Sequence, residues 1–304
     1  MPADGPAVTA IVVAWNSAAV LPACLAALAR EQVPAIVVDN ASADDTVAVA
    51  EAHGARVIRN ARNEGYGRAN NIGAAAADTP FILIINPDCA PDPGAVAALL
   101  AAAERWPDAG LLAPRIIEPD GRLFFQRRSL LSPYLANPRG RPCAPEGDCC
   151  APFLSGACLL ARRELFLRLG GYDPDIFLFY EDDDLCRRVA EAGFALVHVH
   201  AAAARHGRGR SAPPAPGRIY RARWHMAWSG AHVARKWGLP SPAPATFLVN
   251  AGKTLLALFS FRRSLIERYA GSAAGALAFL AGRSALAREG LTPGDPASRQ
   301  PQFR

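Results

Sequence analysis

Four acids stand together at Glu181, Asp182, Asp183 and Asp184, where a helical pattern begins. Carboxylates there suit the positive end of a helix dipole, and one aimed at a bound hydroxyl can take its proton during attack. Adjacent helix positions point in different directions, so only one or two of the four can share a site. The others cap the helix or solvate its face. Asn86-Pro87-Asp88 follows an apolar run and offers a carboxylate that can hold a divalent cation or cap the next turn. Asp39 ends another apolar run and can accept a hydrogen bond from the N–H of a pyrimidine base, or cap the turn from Ser42 to Thr46. In NEGYGRANNIG, Gly65 and Gly67 permit close backbone approach to a ligand, and Arg68 could approach a diphosphate or simply belong to a turn. His198, His200 and His206 are competing imidazole ligands, suited to manganese more than to magnesium. Arg208 and Arg210 could clamp phosphate oxygens.

The elements that must carry these residues alternate. Strands are expected at Val8 to Ala14, Ala35 to Asp39, Ala55 to Asn60 and Phe81 to Ile85. Helices are expected at Ser17 to Arg30, Asp44 to His53, Arg68 to Ala77 and Pro93 to Arg105. Such alternation predicts an α/β domain with a mostly parallel sheet flanked by helices, whose ligands sit beyond the carboxyl ends of the strands. Trp15-Asn16, Asp39-Asn40 and Asn86-Pro87-Asp88 all fall at that edge. Farther on, strands are expected at Phe153 to Ala161 and Ala195 to Val199, and helices at Arg162 to Leu169 and Glu181 to Ala192. Residues 129 to 150 read as a long Pro- and Cys-containing loop. Tyr220 to Trp237 reads as an amphipathic helix.

The 304 residues suffice for one large α/β domain plus a smaller appendage. A formal charge of +6 suits a protein that meets phosphates or an anionic membrane surface. No dense basic run with interleaved aromatics appears, which argues against nucleic-acid binding. The 7 cysteines contain no CxxC pair, and no basic region followed by a long apolar run opens the chain, so a reduced cytoplasmic setting is expected. Cys143, Cys149 and Cys150 cluster, either as a zinc site or, in the favoured reading, as reduced loop thiols. From about 241 the chain turns apolar near Thr246 to Phe261 and Ala273 to Leu280. Neither run reaches a membrane span, so this segment either lies on the bilayer as an amphipathic pair or packs on the main domain.

The segments AIVVAWNSAAVLPACLAAL, VVDNASADDT, NEGYGRANNIG, ILIINPDCAPDPGA, GACLLARRELFLRLGGYDPDIFLFYEDDDLCRRVAEAGF and HGRGRS, in this order over about residues 8 to 211, resemble family 2 glycosyltransferases of the GT-A fold, near the bacterial rhamnosyltransferase-like branch. That resemblance implies an inverting transfer from a nucleotide sugar. It implies nucleotide contacts from Ala14, Asn16, Asp39, Asn63, Gly65, Arg68 and Asn86. It makes Asp88 and His206 ligands of a divalent metal (Mg2+ or Mn2+), with Asn86 replacing the first acid of the commoner Asp-x-Asp motif. It makes Asp182 the base, while Asp184 orients Arg187 or Arg188 or supports the fold. Gly171-Tyr172-Asp173 and Phe177 to Tyr180 would lie on the acceptor side, their aromatics stacking on a sugar or packing the core.

The domain organisation expected is a GT-A domain over 1–240 and a helical segment over 241–304. The partners expected are a dTDP- or UDP-sugar donor, with dTDP-rhamnose first, and a glycan or lipid-linked acceptor of cell-wall or surface polysaccharide. The location expected is cytoplasmic, with peripheral contact at the inner face of the plasma membrane. Two rivals are a non-catalytic nucleotide-sugar binder and a nucleotidyltransferase. The latter needs a Gly-rich, Arg-containing signature after the first strand, which WNSAAVLPA does not supply.

Overall fold

The computed structural model describes residues 5–125, 129, 131, 145–207, 209, 211 and 215–292. The chain opens with β1 (Val8–Ala14), α1 (Leu21–Arg30), β2 (Ala35–Asp39), α2 (Thr46–Ala52), β3 (Arg56–Arg59), α3 (Tyr66–Ala76) and β4 (Phe81–Ile85). It continues through β5 (Cys89–Pro91), α4 (Ala95–Arg105), β6 (Ala109–Ile117), β7 (Leu123–Phe124), β8 (Cys149–Cys150), β9 (Cys158–Arg162) and α5 (Arg163–Arg168). It ends with α6 (Glu181–Glu191), β10 (Ala195–His206), α7 (Arg218–Lys236), α8 (Ala243–Leu258), α9 (Arg263–Leu280) and α10 (Ala285–Arg288).

All these strands join one sheet in the order β3-β2-β1-β4-β9-β6-β10-β5, with β7 and β8 paired at its margins. β1, β2, β3 and β4 pair in parallel, as expected. β9, however, lies antiparallel between β4 and β6, and β5 is antiparallel to β10, so the sheet is mixed. The sequence reading lacked β5 and β6. Gly110 and Pro114 interrupt the apolar pattern of β6, and β5 is three residues long and ends in Pro91, as an edge strand tolerates.

β1 is buried along its whole length, and its side chains alternate between two cores. Val8, Ala10 and Val12 pack on one face with Leu21, Leu25 and Leu28 of α1 and Leu99 of α4. Ile11 and Val13 pack on the other with Ala69 of α3, Phe166 of α5 and Leu185 of α6. Ligand-sized space is therefore left at the strand ends. A further apolar cluster joins Trp224 and Trp228 of α7 to Ala276 and Phe279 of α9, so the C-terminal helices pack on α7. Among the described residues no helix is long and apolar enough to cross a membrane. Cys149 and Cys150 form β8 as free thiols, whereas Cys143, Arg208 and Arg210 lie outside the described residues.

Candidate active site

A cleft of about 410 Å³ opens at the carboxyl ends of β1 and β4. Asp182 sits in its wall on the first turn of α6. Two donors hold the carboxylate: the Gly156 N–H donates to Oδ2 at 2.8 Å, and the Tyr172 hydroxyl donates to Oδ1 at 3.1 Å. The Tyr66 hydroxyl in turn donates to the Gly156 carbonyl at 2.8 Å. Gly156 is a steric requirement, because a Cβ there would stand 2.4 Å from Asp182 Oδ1. Burial raises the Asp182 pKa from 3.8 to about 6, against the two hydrogen bonds and with help from the charge of Asp183. Tyr66 and Tyr172 are held well above their ordinary value by burial and by the Asp182 charge, and stay protonated as donors.

The rest of the acidic run divides as helix geometry requires. Glu181 also lines the cleft, and its buried Oε2 has no hydrogen-bond partner among the described residues. Burial and the neighbouring Asp182 charge push its pKa well above the carboxylate range. Asp184 turns inward and is wholly buried, where Arg188, Lys236 and the Trp237 indole surround it at 2.8, 2.8 and 3.0 Å. Asp183 accepts from the Ser129 hydroxyl. Phe179 and Tyr180, just ahead of α6, both adopt left-handed backbone (φ 70° and 67°). Each such residue costs roughly 1–2 kcal/mol, and together they set the angle at which the acidic turn meets the cleft.

Across the cleft, Asn86, Pro87, His206 and Ser211 form the end near β4 and β10. Asp88 lies just beneath. It accepts from the Ser211 hydroxyl at 2.7 Å, and its Oδ1 is 3.5 Å from His206 Nε2. The Asn86 amide is 3.4 Å from the same nitrogen. A carboxylate beside an imidazole is a donor set that manganese accepts. Among the described residues no group of three or more His, Cys, Asp or Glu is placed to hold a metal, so further ligands would have to be diphosphate oxygens and water. The other two histidines are engaged elsewhere. His198 is buried against Phe125, and the His200 ring lies 3.2 Å from the Pro145 carbonyl.

The nucleotide-side residues separate. Asn63 and Gly65 line the cleft, as do Trp15, Ser17 and Asn40. Ala14 contributes backbone, its carbonyl accepting from Asn40 N–H at 2.8 Å. Asn16 braces the neighbouring loop, with its Oδ1 accepting from Ala43 N–H at 2.7 Å. Asp39 is buried at the end of β2 and accepts from Ser42 N–H at 3.2 Å. Arg68 must be corrected. It is buried away from the cleft, donates to the carbonyls of Pro174 and Thr292, and pairs with Glu64 at 3.4 Å. It therefore ties α3 to distant segments. The glycines also serve the fold: a Cβ on Gly65 would meet the Phe177 carbonyl at 2.5 Å, and one on Gly67 the Cβ of Tyr172 at 2.9 Å. They let α3 close against the 172–180 segment.

Two charged cleft residues escaped the sequence reading, Arg218 and Arg221 at the start of α7. Arg221 stacks on Trp15 and Phe177 at 5.3 and 5.2 Å and pairs with Glu289 at 2.7 Å. His225 meets the same carboxylate at 2.8 Å. Burial opposes ionisation of Glu289, but the hydrogen bonds from His225 and Arg221 prevail and hold its pKa at about 2. The spacing of Arg218 and Arg221 at i and i+3, beside the start of the helix expected from Tyr220, was the available signal. Of the two readings of Tyr172, sugar stacking or core packing, the second fits: it is wholly buried in the core and donates to Asp182.

The chain matches the sequence profile of Glycosyl transferase family 2 over residues 9–170. It is 32% identical over 219 residues to the N-acetylglucosaminyl-diphospho-decaprenol L-rhamnosyltransferase of Mycobacterium tuberculosis, covering 62% of this chain and 71% of that protein. In fold it resembles the mannosyltransferase PcManGT of Pyrobaculum calidifontis, solved with GDP-Man and Mn2+ (TM-score 0.56, 18% identity, 90% of this chain and 87% of that one). It also resembles S. aureus TarS 1-349 (TM-score 0.55, 14% identity, 91% and 92%). Since the family profile spans more than half of these 304 residues and the mixed sheet has the GT-A form of such neighbours, the chain belongs to family 2 of the glycosyltransferases and is an enzyme of that class.

Proposed function

We propose that the chain transfers rhamnose from dTDP-rhamnose to a lipid-linked glycan acceptor, with inversion, in cell-wall or surface polysaccharide synthesis. The observation that carries this is the seat of Asp182. It is a cleft carboxylate fixed by two donors, with a pKa near 6 that leaves it ionised yet basic at neutral pH. The acceptor oxygen attacks the anomeric carbon from the face opposite the diphosphate. Its proton passes to Asp182, and the carbon–oxygen bond to phosphate breaks with its electron pair on the departing dTDP. One displacement inverts the anomeric centre. The buried tyrosines orient the base, and the mainly apolar walls from Val13 to Leu178 limit competing water.

A divalent ion held by Asp88 and His206 would supply charge neutralisation to the leaving diphosphate. Trp15 and Asn40, which line the cleft, would contact the base and ribose, and Arg218 and Arg221, which line it too, would contact anionic groups. The choice of rhamnose and of a lipid-linked acceptor is supported by the mycobacterial relative, whose name states both. A lipid-linked acceptor would bring the enzyme to the inner face of the plasma membrane.

The test is a donor panel of dTDP-rhamnose, UDP-galactofuranose, UDP-N-acetylglucosamine and GDP-mannose with prenyl-diphospho-N-acetylglucosamine and Mn2+. Transfer from dTDP-rhamnose, with the anomeric configuration of the product inverted by NMR, is expected. Transfer only from another donor would refute the sugar assignment, and none from any donor would refute the activity.

A further inference from the structure

α8 is amphipathic in the wrong sense for a helix that only packs on its own protein. Its inner side, with Phe247 and the buried Ala257, faces the fold and α9. Leu248, Val249, Leu255, Leu256 and Phe259 recur at helical spacing on one side and all face solvent. At the tip joining α8 to α9 the exposure is greatest: Leu256 is 72% exposed, Phe259 82% and Phe261 92%. Phe261 also has left-handed backbone (φ 53°), a conformation that side-chain-bearing residues rarely adopt. A continuous apolar surface of this kind marks a partner.

Charge identifies the partner. Between positions 243 and 280 the chain carries four basic residues, Lys253, Arg262, Arg263 and Arg268, against one acid, Glu267. All four basic side chains are exposed, so cations border the leucines and phenylalanines. An apolar wedge bordered by cations fits an anionic lipid surface, where the apolar groups enter the acyl boundary and the cations meet headgroup phosphates. A two-fold contact with a second copy would instead set Arg262 and Arg263 near their own equivalents, at a cost in like-charge repulsion.

The hairpin is also fixed relative to the cleft. Gly271 and Gly275 of α9 lie against the backbone of α7, where a Cβ would stand 2.4 Å from the Tyr220 carbonyl and 2.1 Å from that of Trp224. α7 carries Arg218 and Arg221 of the cleft. We infer that the α8–α9 tip is a membrane-docking wedge for anionic bilayers, built on Leu255, Leu256, Phe259 and Phe261 with Arg262 and Arg263. A lipid-linked acceptor, as proposed above, gives the wedge its use. Vesicle binding is read without turnover, so the two proposals stand or fall separately.

The experiment is co-sedimentation of the full chain with vesicles of phosphatidylcholine, with and without phosphatidylglycerol. The wild type is expected to bind the phosphatidylglycerol vesicles and to be released by salt. Phe259→Glu/Phe261→Glu should lower the partition coefficient at least about tenfold with an unchanged melting curve, since neither ring is packed. Arg262→Glu/Arg263→Glu keeps the apolar wedge and should abolish the preference for phosphatidylglycerol. The inference is overturned if the wild type ignores anionic vesicles or if the double phenylalanine variant binds as the wild type does. It is also overturned if the wild type is a dimer that this variant dissociates while neither binds lipid.

Discussion

Replacing Asp182 by asparagine should make the protein more stable and catalytically silent at once. Asparagine keeps the shape: its Oδ1 accepts from Gly156 N–H, and its Nδ2 donates to the Tyr172 oxygen, whose own O–H then loses the acceptor it has in the wild type. What disappears is a carboxylate that the fold disfavours in its charged form. The rise in pKa from 3.8 to about 6 corresponds to about 3 kcal/mol against the ionised group. Solvent in the cleft and the acceptor lost by the Tyr172 hydroxyl reduce this, and we expect about 1–2 kcal/mol. The sign follows from the folded pKa lying above the unfolded one. Asp182 contributes most to stability below about pH 4, and that contribution is lost as pH rises through about 6. The advantage of the amide should therefore be full at pH 7.5 and vanish near pH 4. For a chain of this size it amounts to about 2–6 °C in Tm, read by circular dichroism melts at the two pH values. Turnover should fall about 10²–10⁴-fold, with nucleotide affinity unchanged. A variant less stable than the wild type at pH 7.5, or one with ordinary turnover, would refute the reasoning.

Three further perturbations probe the same cleft. In the wild type, kcat/KM should rise with pH through an inflection near 6 as Asp182 ionises. Tyr172→Phe removes a donor to the ionised form and should move that inflection upward by about one pH unit, seen in initial rates from pH 5 to 8. Gly156→Ala forces a Cβ against Asp182 Oδ1 and should lower kcat at least about tenfold while nucleotide binding, read by calorimetry, holds. If kcat is unaffected, the seat is not positional. His206→Ala should raise the manganese concentration for half-maximal activity by about tenfold or more, whereas His200→Ala should leave it unchanged. Equal effects from both would remove the metal assignment.

Much of this was legible in the sequence because local pattern and tertiary role agree. β1, β2 and β4 are mainly apolar runs buried on both faces, and their polar ends Trp15, Asp39 and Asn86 fall at one sheet edge. The acidic run shows its position on α6 and, through helix geometry, that its members must part company. Arg68 was misplaced because a basic residue beside two glycines resembles a phosphate loop, whereas its nearest anion is Glu64, four positions back along the chain. β6 was missed because Gly110 and Pro114 weaken its strand pattern, and its pairing with β9 and β10 supplies what local propensity does not. Arg221 was missed because its partners Trp15 and Glu289 lie about 200 positions upstream and nearly 70 downstream of it, beyond any local pattern.

The cleft also shows why its stability and its chemistry oppose each other. Glu181 and Asp182 are consecutive acids in a site dry enough to raise both pKa values, and two adjacent left-handed residues lead into them. A fold optimised for stability alone would place neither feature there. Opposing terms are concentrated around them: the helix dipole of α6, the Gly156 and Tyr172 donors, and the Asp184–Arg188–Lys236 network one turn deeper. Asp184 at its centre is wholly buried, and neither it nor its two cationic partners lines the cleft, so the network can anchor α6 without approaching the substrate. Division of labour along four consecutive residues follows from the roughly 100° between helix neighbours. Two acids face the cleft and bear its cost, and two face inward and hold the helix that presents them.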